Sequence, residues 1–328
     1  METDPKLADP NLPDPNLMDL KIFTGTANPQ LAKDICKHLG IPLSSLNVSR
    51  FSNDNLFVQI QENVREKDVF VIQPFTAPAS DTIMELFIIL DALRSASARR
   101  ITAVIPYFSY ARSDKKDAPR ISIAGRLMAD LIRTAGANRV LTLDLHSDAV
   151  HGFFSVPVDH LTAVSNFVDH FRQTVDLSHA VVVATDAGGA KRAGRFARRI
   201  HLPMAITDKR RVGDTEVVQG LVVGDVEGRD AIIFEDEIST GGTLAETVKT
   251  LSRAGVRNIH VGASHGVLCG QAVERLKACN LSSVVVTDTV AILPEKKWPA
   301  LHVLSVAPLF AEAIRRIHTG ESVGALFD

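Results

Sequence analysis

Several short β-branched runs in this chain carry no polar face, and that limits the fold more than any other feature. RITAVIPY and RVLTLDL are apolar nearly throughout. A strand written this way must be covered on both sides, as in parallel sheets wrapped by helices. Around them KIFTGT and VFVIQP read as further strands, and PQLAKDICKHLG, DTIMELFIILDALRSAS and ISIAGRLMADLIRTAG read as helices, two of them closed by glycine. The pattern predicts an α/β fold with a doubly wound, mainly parallel sheet flanked by helices.

The rhythm then repeats. AVVVATDAGG, PMAITDK, EVVQGLVVG, DAIIFEDE, NIHVGASHGV and SSVVVTD read as strands, and KRAGRFARRI, TLAETVKTLSRAG and QAVERLKAC as helices. The weakly patterned stretch from His160 to Ser178 marks the change of unit. It divides the chain into a flexible Asp-Pro-rich arm (1–19), a first α/β domain (20–165) and a second (166–328).

Composition narrows the function classes. A chain of 328 residues that is 45% apolar can bury real cores. Lys plus Arg is 36 and Asp plus Glu is 38, and the net charge of -2 argues against coating nucleic acid or anionic membrane by bulk charge. Any anion site must be local. Cys36, Cys269 and Cys279 have neither the number nor the spacing of a disulfide framework or zinc site, which suits a reduced, cytoplasmic compartment. The N-terminus repeats Asp-Pro-x-Leu without the basic start and apolar run of a signal peptide, and no apolar stretch reaches the roughly 18 residues of a membrane span.

In open parallel sheets ligands sit beyond the carboxyl ends of strands, so the polar residues that end these runs are the candidates. In FEDEISTGGTLAE the strand gives Glu235 and Asp236 at its carboxyl end, and Ser239, Thr240, Gly241, Gly242 and Thr243 lead into a helix. Amides at a helix start, glycines and flanking hydroxyls make a phosphate cradle. Two acids beside a bound anion would repel it, so Glu235 and Asp236 suit sugar hydroxyls or a hard cation such as Mg²⁺. Together they describe a phosphorylated sugar. As structure alone, the same residues are a capped helix with acids on a solvated loop.

The second candidate is ATDAGGAKRAGRFARR, where Asp186 ends a strand and Gly188 and Gly189 permit positive φ, allowing an amide nest from Asp186 through Ala187 to Ala190. Lys191, Arg192 and Arg195 stand beside it, suiting a phosphate chain; a tight turn before a basic helix face is the alternative. The third is the run Lys209, Arg210, Arg211, whose charge could stabilise a transferring phosphoryl group or merely be solvated. In the first half, Asp144 and His146 in LDLHSDAVHGFF lie two apart on a strand and so face one side. IPYFSYARSDKKDAPR reads as a mobile loop.

Taken in order, NPQLAKDI, SRFSNDN, IMELFIILDALRSASA, IPYFSYARSDKKDAPR, LDLHSDAVHGFF, TDAGGAKRA, DKRR, EDEISTGGT and SVAPLFAEAIRRIH resemble the ribose-phosphate pyrophosphokinase (phosphoribosyl pyrophosphate synthetase) family from Lys21 to Asp328. The resemblance implies two tandem domains of the type I phosphoribosyltransferase fold, the second alone keeping the sugar-phosphate loop. It implies Mg²⁺-dependent transfer of the diphosphoryl group of ATP to the anomeric hydroxyl of ribose 5-phosphate, releasing AMP, by a homo-oligomer built on dimers and commonly hexameric. Residue by residue, it gives Ser239 to Thr243 the 5-phosphate, Glu235 and Asp236 the ribose hydroxyls, and Asp186 to Ala190 the pyrophosphate side. His146 and Asp186 match the magnesium site, with His146 also on the ATP side. Lys209 and Arg211 match the catalytic pair, and Phe51, Asn53, Asn55, Arg112 and Ser113 match ATP contacts.

The chain departs from the usual pattern in places. FSNDN replaces Phe-Ser-Asp-Gly-Glu, RSDKK replaces Arg-Gln-Asp-Arg-Lys, and the ribose loop opens with Glu235 and carries Ser239 where an Asp is usual. Asn53, Asn55 and Ser113 leave room for a rival reading, a catalytically weak regulatory subunit of a synthetase. A phosphoribosyltransferase that consumes the activated sugar would suit Ser239 to Thr243 but leaves the first half and Lys209 to Arg211 unexplained.

Overall fold

The computed structural model describes residues 15–208, 211–212, 216–217 and 221–326. They form two compact units, one running up to Leu161 and taking in the chain again from Ala307, the other spanning Thr162–Val306.

The first unit begins with β1 (Leu20–Thr24) and α1 (Pro29–Leu39). Asn28 caps α1 by accepting from the Leu31 N–H at 3.3 Å, Pro29 occupies its first turn, and Gly40 ends it with φ 68°. A separate antiparallel hairpin follows, β2 (Leu46–Arg50) and β3 (Leu56–Ile60). Next come β4 (Asp68–Ile72), α2 (Ala79–Ser95), β5 (Arg100–Ile105), α3 (Ala124–Ala135), β6 (Arg139–Leu143) and β7 (Val158–Leu161). The sheet is parallel, in the order β1-β4-β5-β6-β7. All five residues of β4 are buried, as a strand covered on both faces requires.

The second unit opens with α4 (Val164–Thr174), inside the stretch that sequence patterning left unassigned. It continues through β8 (Ala180–Ala184), α5 (Ala190–Ile200), β9 (Met204–Asp208), a short hairpin of β10 (Arg211–Val212) and β11 (Glu216–Val217), and β12 (Leu221–Val223). The described residues of EVVQGLVVG fall in β11 and β12. Then follow β13 (Asp230–Ile238), α6 (Gly242–Arg253), β14 (Asn258–Gly266), α7 (Ala272–Ala278), β15 (Ser283–Thr287) and β16 (Leu301–Leu304). The sheet order is β12-β9-β8-β13-β14-β15-β16, parallel except for β12 at one edge. Gly262 stands mid-strand in β14 because a Cβ there would lie 3.1 Å from Phe167 and Phe171 and 3.2 Å from Phe234. Those rings pack with Phe196, which stacks on Phe234 at 4.5 Å between centroids.

The last helix, α8 (Ala307–Thr319), corrects the domain boundary drawn from sequence, since it belongs to the first unit and packs on α1. Its address is polar. Asp68 is fully buried at the start of β4; Arg100 donates to it through Nε at 2.8 Å and through Nη2, and Arg100 also reaches the Ile317 carbonyl of α8 at 2.9 Å. His318 places Nδ1 2.7 Å from Asp68 Oδ2 and Nε2 2.9 Å from the Asn16 carbonyl. With Leu17 also buried, the end of the Asp-Pro arm is anchored here; residues 1–14 lie outside the described residues. Among the described residues no helix is long and apolar enough to cross a membrane.

Burial alone would push the Asp68 carboxyl up, but the hydrogen bonds from His318 and Arg100 outweigh it and hold the group below the usual carboxylate range. A depressed carboxyl contributes stability above its unfolded value of about 4, and that contribution is lost as the pH falls through the lower folded value. Asp68→Asn should therefore lower urea-unfolding stability at pH 7 by roughly 2–4 kcal/mol. The gap to the parent chain should narrow as the pH falls below about 4 and close only below the depressed folded value, where both carry a neutral group. A gap independent of pH would contradict a charged clasp.

Candidate active site

In the second sheet, the chain leaves β8 towards β9 but leaves β13, on the other side of β8, towards β14. Connections that diverge from neighbouring parallel strands open a crevice at their carboxyl ends. The two strongest glycine loops of the sequence follow these two strands.

After β8, Asp186 turns back on its own loop and accepts the Gly189 N–H on Oδ1 at 2.8 Å. Gly189 sits just before α5 with φ -78°, and neither Gly188 nor Gly189 takes the positive φ foreseen from sequence. At Gly188 a Cβ would lie 3.2 Å from Asp186 Oδ1, whereas at Gly189 nothing would come nearer than 3.7 Å. Ala187 and Gly188 are exposed, with Ala190 opening the helix.

β13 runs one residue past the DAIIFEDE strand of the sequence, to Ile238. Pairing with β8 stops at Ile233, but pairing with β14 continues through Glu235 to Ile238, so Glu235 and Asp236 lie within the strand rather than ending it. The turn follows, with Ser239 half-buried, Thr240 exposed and Gly241 at φ 70°, a conformation that favours glycine. Helix α6 starts at Gly242 and leaves Thr243 exposed in its first turn.

Arg192 joins the two loops. From the first turn of α5 its Nη1 lies 2.6 Å from Glu235 Oε2 and 2.9 Å from Asp236 Oδ1. Thr185, just past β8, donates its hydroxyl to Glu235 Oε1 at 2.5 Å. Sequence reading had placed Arg192 beside a phosphate chain; the structure turns it onto the acids. The signal was its spacing, one turn into the helix that faces β13. Burial raises the Glu235 carboxyl above its ordinary range, the charges of Asp236 and Asp186 add to that rise, and Thr185 and Arg192 act against it. The guanidinium thus offsets the repulsion between two neighbouring carboxylates.

Lys209 lies outside the described residues, and Arg211 opens β10, paired with Val217 of β11. On the first unit, Phe51, Asn53 and Asn55 are exposed on the turn of the β2–β3 hairpin. Phe51 meets Phe57 edge-on at 5.4 Å, and Asn53 Oδ1 accepts the Asn55 N–H at 3.3 Å. Arg112 is exposed in the turn after β5. Ser113 faces inward, its hydroxyl accepting the Ala124 N–H at 3.3 Å at the start of α3. The strand alternation drawn through Asp144 and His146 does not hold: β6 ends at Leu143 and Asp144 has φ 39°. His146 is exposed beyond the strand.

Among the described residues no three His, Cys, Asp or Glu side chains gather to hold a metal. Asp186 offers hard carboxylate oxygen of the kind Mg²⁺ takes, and such an ion would draw most of its shell from water and substrate phosphates. The residues fit that role.

Comparisons with known proteins bear on the whole chain. Residues 20–136 match the model of the N-terminal domain of ribose phosphate pyrophosphokinase, and residues 219–328 that of the phosphoribosyl synthetase-associated domain. A ribose-phosphate pyrophosphokinase of Deinococcus radiodurans is 52% identical, with 94% of this chain and 98% of the relative covered. One of Rhodopirellula baltica is 45% identical with the same coverage. The crystal structure of phosphoribosylpyrophosphate synthetase from Mycobacterium smegmatis superposes with a TM-score of 0.88 at 39% identity, covering 92% of this chain and 99% of that one. The fold is thus of the type I phosphoribosyltransferase kind. With half its residues shared with a relative matched almost end to end, the chain belongs to the ribose-phosphate pyrophosphokinase family.

Proposed function

We propose that this enzyme transfers the diphosphoryl group of ATP to the anomeric hydroxyl of ribose 5-phosphate, giving phosphoribosyl pyrophosphate and AMP for nucleotide biosynthesis. The observation that carries the reading is the pair of loops at the β8–β13 switch point, bridged by Arg192 on Glu235 and Asp236. Ser239 to Thr243 would take the 5-phosphate on the amides and hydroxyls at the start of α6, where the helix dipole favours an anion by about 0.3–1 kcal/mol. Glu235 and Asp236, held by Arg192 and Thr185, would accept hydrogen bonds from the ribose hydroxyls. The sugar is thereby laid across the carboxyl ends of the strands with its anomeric carbon towards the loop of Asp186 to Ala190, which would receive the diphosphoryl group.

Transfer of this kind asks for positioning and charge neutralisation rather than a protein nucleophile. Mg²⁺, when bound with ATP, would offset the charge of the transferring group, with Asp186 as a ligand; His146 keeps the metal-binding role that the family resemblance implies. Lys209 and Arg211 would stabilise charge developing on that group. On the first unit, Phe51, Asn53, Asn55, Arg112 and Ser113 are assigned to ATP. With Ser113 already bound to the start of α3, the exposed Arg112 and the hairpin turn would do most of the reading. A homo-oligomer based on dimers, working in the cytoplasm, completes the proposal.

The occupied Ser113 hydroxyl and the neutral Asn53 also favour a second reading, a catalytically weak regulatory subunit. Purified protein with Mg²⁺, ATP and ribose 5-phosphate decides between them: AMP should form only when the sugar phosphate is present, and no release of the matching nucleoside monophosphate from any nucleoside triphosphate would leave the regulatory reading standing. Lys209→Ala should lower turnover by about 10²-fold or more without loss of fold, followed as AMP release and circular dichroism. Unchanged turnover would remove Lys209 from the mechanism.

A further inference from the structure

The loop assigned to the 5-phosphate has no cation of its own. Ser239 to Thr243 contribute hydroxyls and amides only, and the strand before them carries Glu235, Asp236 and Glu237. A phosphate dianion so near the acids of β13 gains from compensating charge, and Arg192 is committed to Glu235 and Asp236.

The segment after β14 forms a wall against this loop. The Leu268 N–H donates to the Ile238 carbonyl at 2.9 Å and the Cys269 N–H to the Ser239 carbonyl at 3.0 Å, with Cys269 Sγ 3.2 Å from Ser239 Oγ. Helix α7 then sits so close to Gly241 that an added Cβ would lie 3.7 Å from Ala272 and Leu276. From this helix Arg275, an exposed residue, donates Nη1 to the Thr240 carbonyl at 2.9 Å. The same nitrogen lies 4.0 Å from where a Cβ of Gly242 would stand, and Thr240 Oγ1 lies 3.9 Å from that point. The guanidinium thus borders the space over the first residue of α6, on the rim of the cradle.

We propose that Arg275 is a further substrate-binding residue, the cation of the 5-phosphate subsite. One N–H anchors it to the Thr240 carbonyl, and the others face a phosphate seated on the loop, where a guanidinium forms paired charge-assisted hydrogen bonds. This rests on the assignment of Ser239 to Thr243 to the 5-phosphate and adds the charge that the assignment lacks. Nothing in the local sequence singles Arg275 out, since QAVERLKAC reads as an ordinary amphipathic helix and its contact with the loop is made only by the fold.

Steady-state kinetics of the full chain tests it. Arg275→Ala should raise KM for ribose 5-phosphate about ten- to hundred-fold, the range expected for a hydrogen bond to a charged group, while lowering kcat far less and leaving KM for ATP in place. Arg275→Lys, which keeps charge but not the fork, should fall between. Arg275→Gln keeps a donor for the Thr240 carbonyl without the charge, so its KM should stay high. If the Gln variant instead returns to the parent value, Arg275 only braces the loop and the proposal is overturned; an unchanged KM in Arg275→Ala overturns it as well. Should the alanine variant fail to fold, the Lys and Gln variants carry the same comparison. Parent protein measured alongside separates the two levels: an active parent with indifferent variants sinks this inference alone, and an inactive parent takes the proposed function with it.

Discussion

The second unit depends on two neighbouring parallel strands, β8 and β13, whose chains depart in opposite directions. Parallel strands need long crossovers, and where two crossovers diverge nothing covers the strand ends between them. Two loops therefore meet at one crevice without being near in sequence, and each runs straight into a helix whose first amides are unpaired within it. The first loop is held by Asp186 on the Gly189 amide, the second by the left-handed Gly241 and by the wall of residues after β14. On the proposed function, these two loops are the points at which the unit takes anions.

Between those points the charge is reversed. Glu235 and Asp236 would repel a phosphate placed on them, and Arg192 and Thr185 hold them as acceptors suited to hydroxyls. A ribose phosphate has the matching sequence of groups, hydroxyls in the middle and anionic ends. Burial raises the Glu235 carboxyl, and the Thr185 hydrogen bond and then the Arg192 charge act against that rise.

Much of this was legible in the residues. Strands buried on both faces must be written in apolar side chains, and Val181 to Ala184 and Val69 to Ile72 are. The glycine loops between such strands and a helix were legible as turns, and the structure finds both loops at the ends of β8 and β13. The destination of α8 was not legible. Its amphipathic pattern says that one face is buried but not against what, and the answer lies with Asp68 and Arg100, distant in sequence. The polar end of β13 read as strand in DAIIFEDE, and pairing with β14 alone sustains it past Ile233. Arg192 and Arg275 sit on helices whose charged faces look solvated in sequence, and only the packing of α5 against β13 and of α7 against Gly241 gives them partners. Asp144 departs from its strand through a positive φ that nothing local announces.

The central claim is a division of labour along β13 and its turn, hydroxyls at the acids and phosphate at the glycine loop. A crystal structure of this chain with ribose 5-phosphate tests it most directly. The account predicts the phosphate on the amides of Ser239 to Thr243 and the ribose hydroxyls on Glu235 and Asp236. Phosphate seated instead in the loop of Asp186 to Ala190, with the acids still closed on Arg192 and no sugar contact, would contradict it.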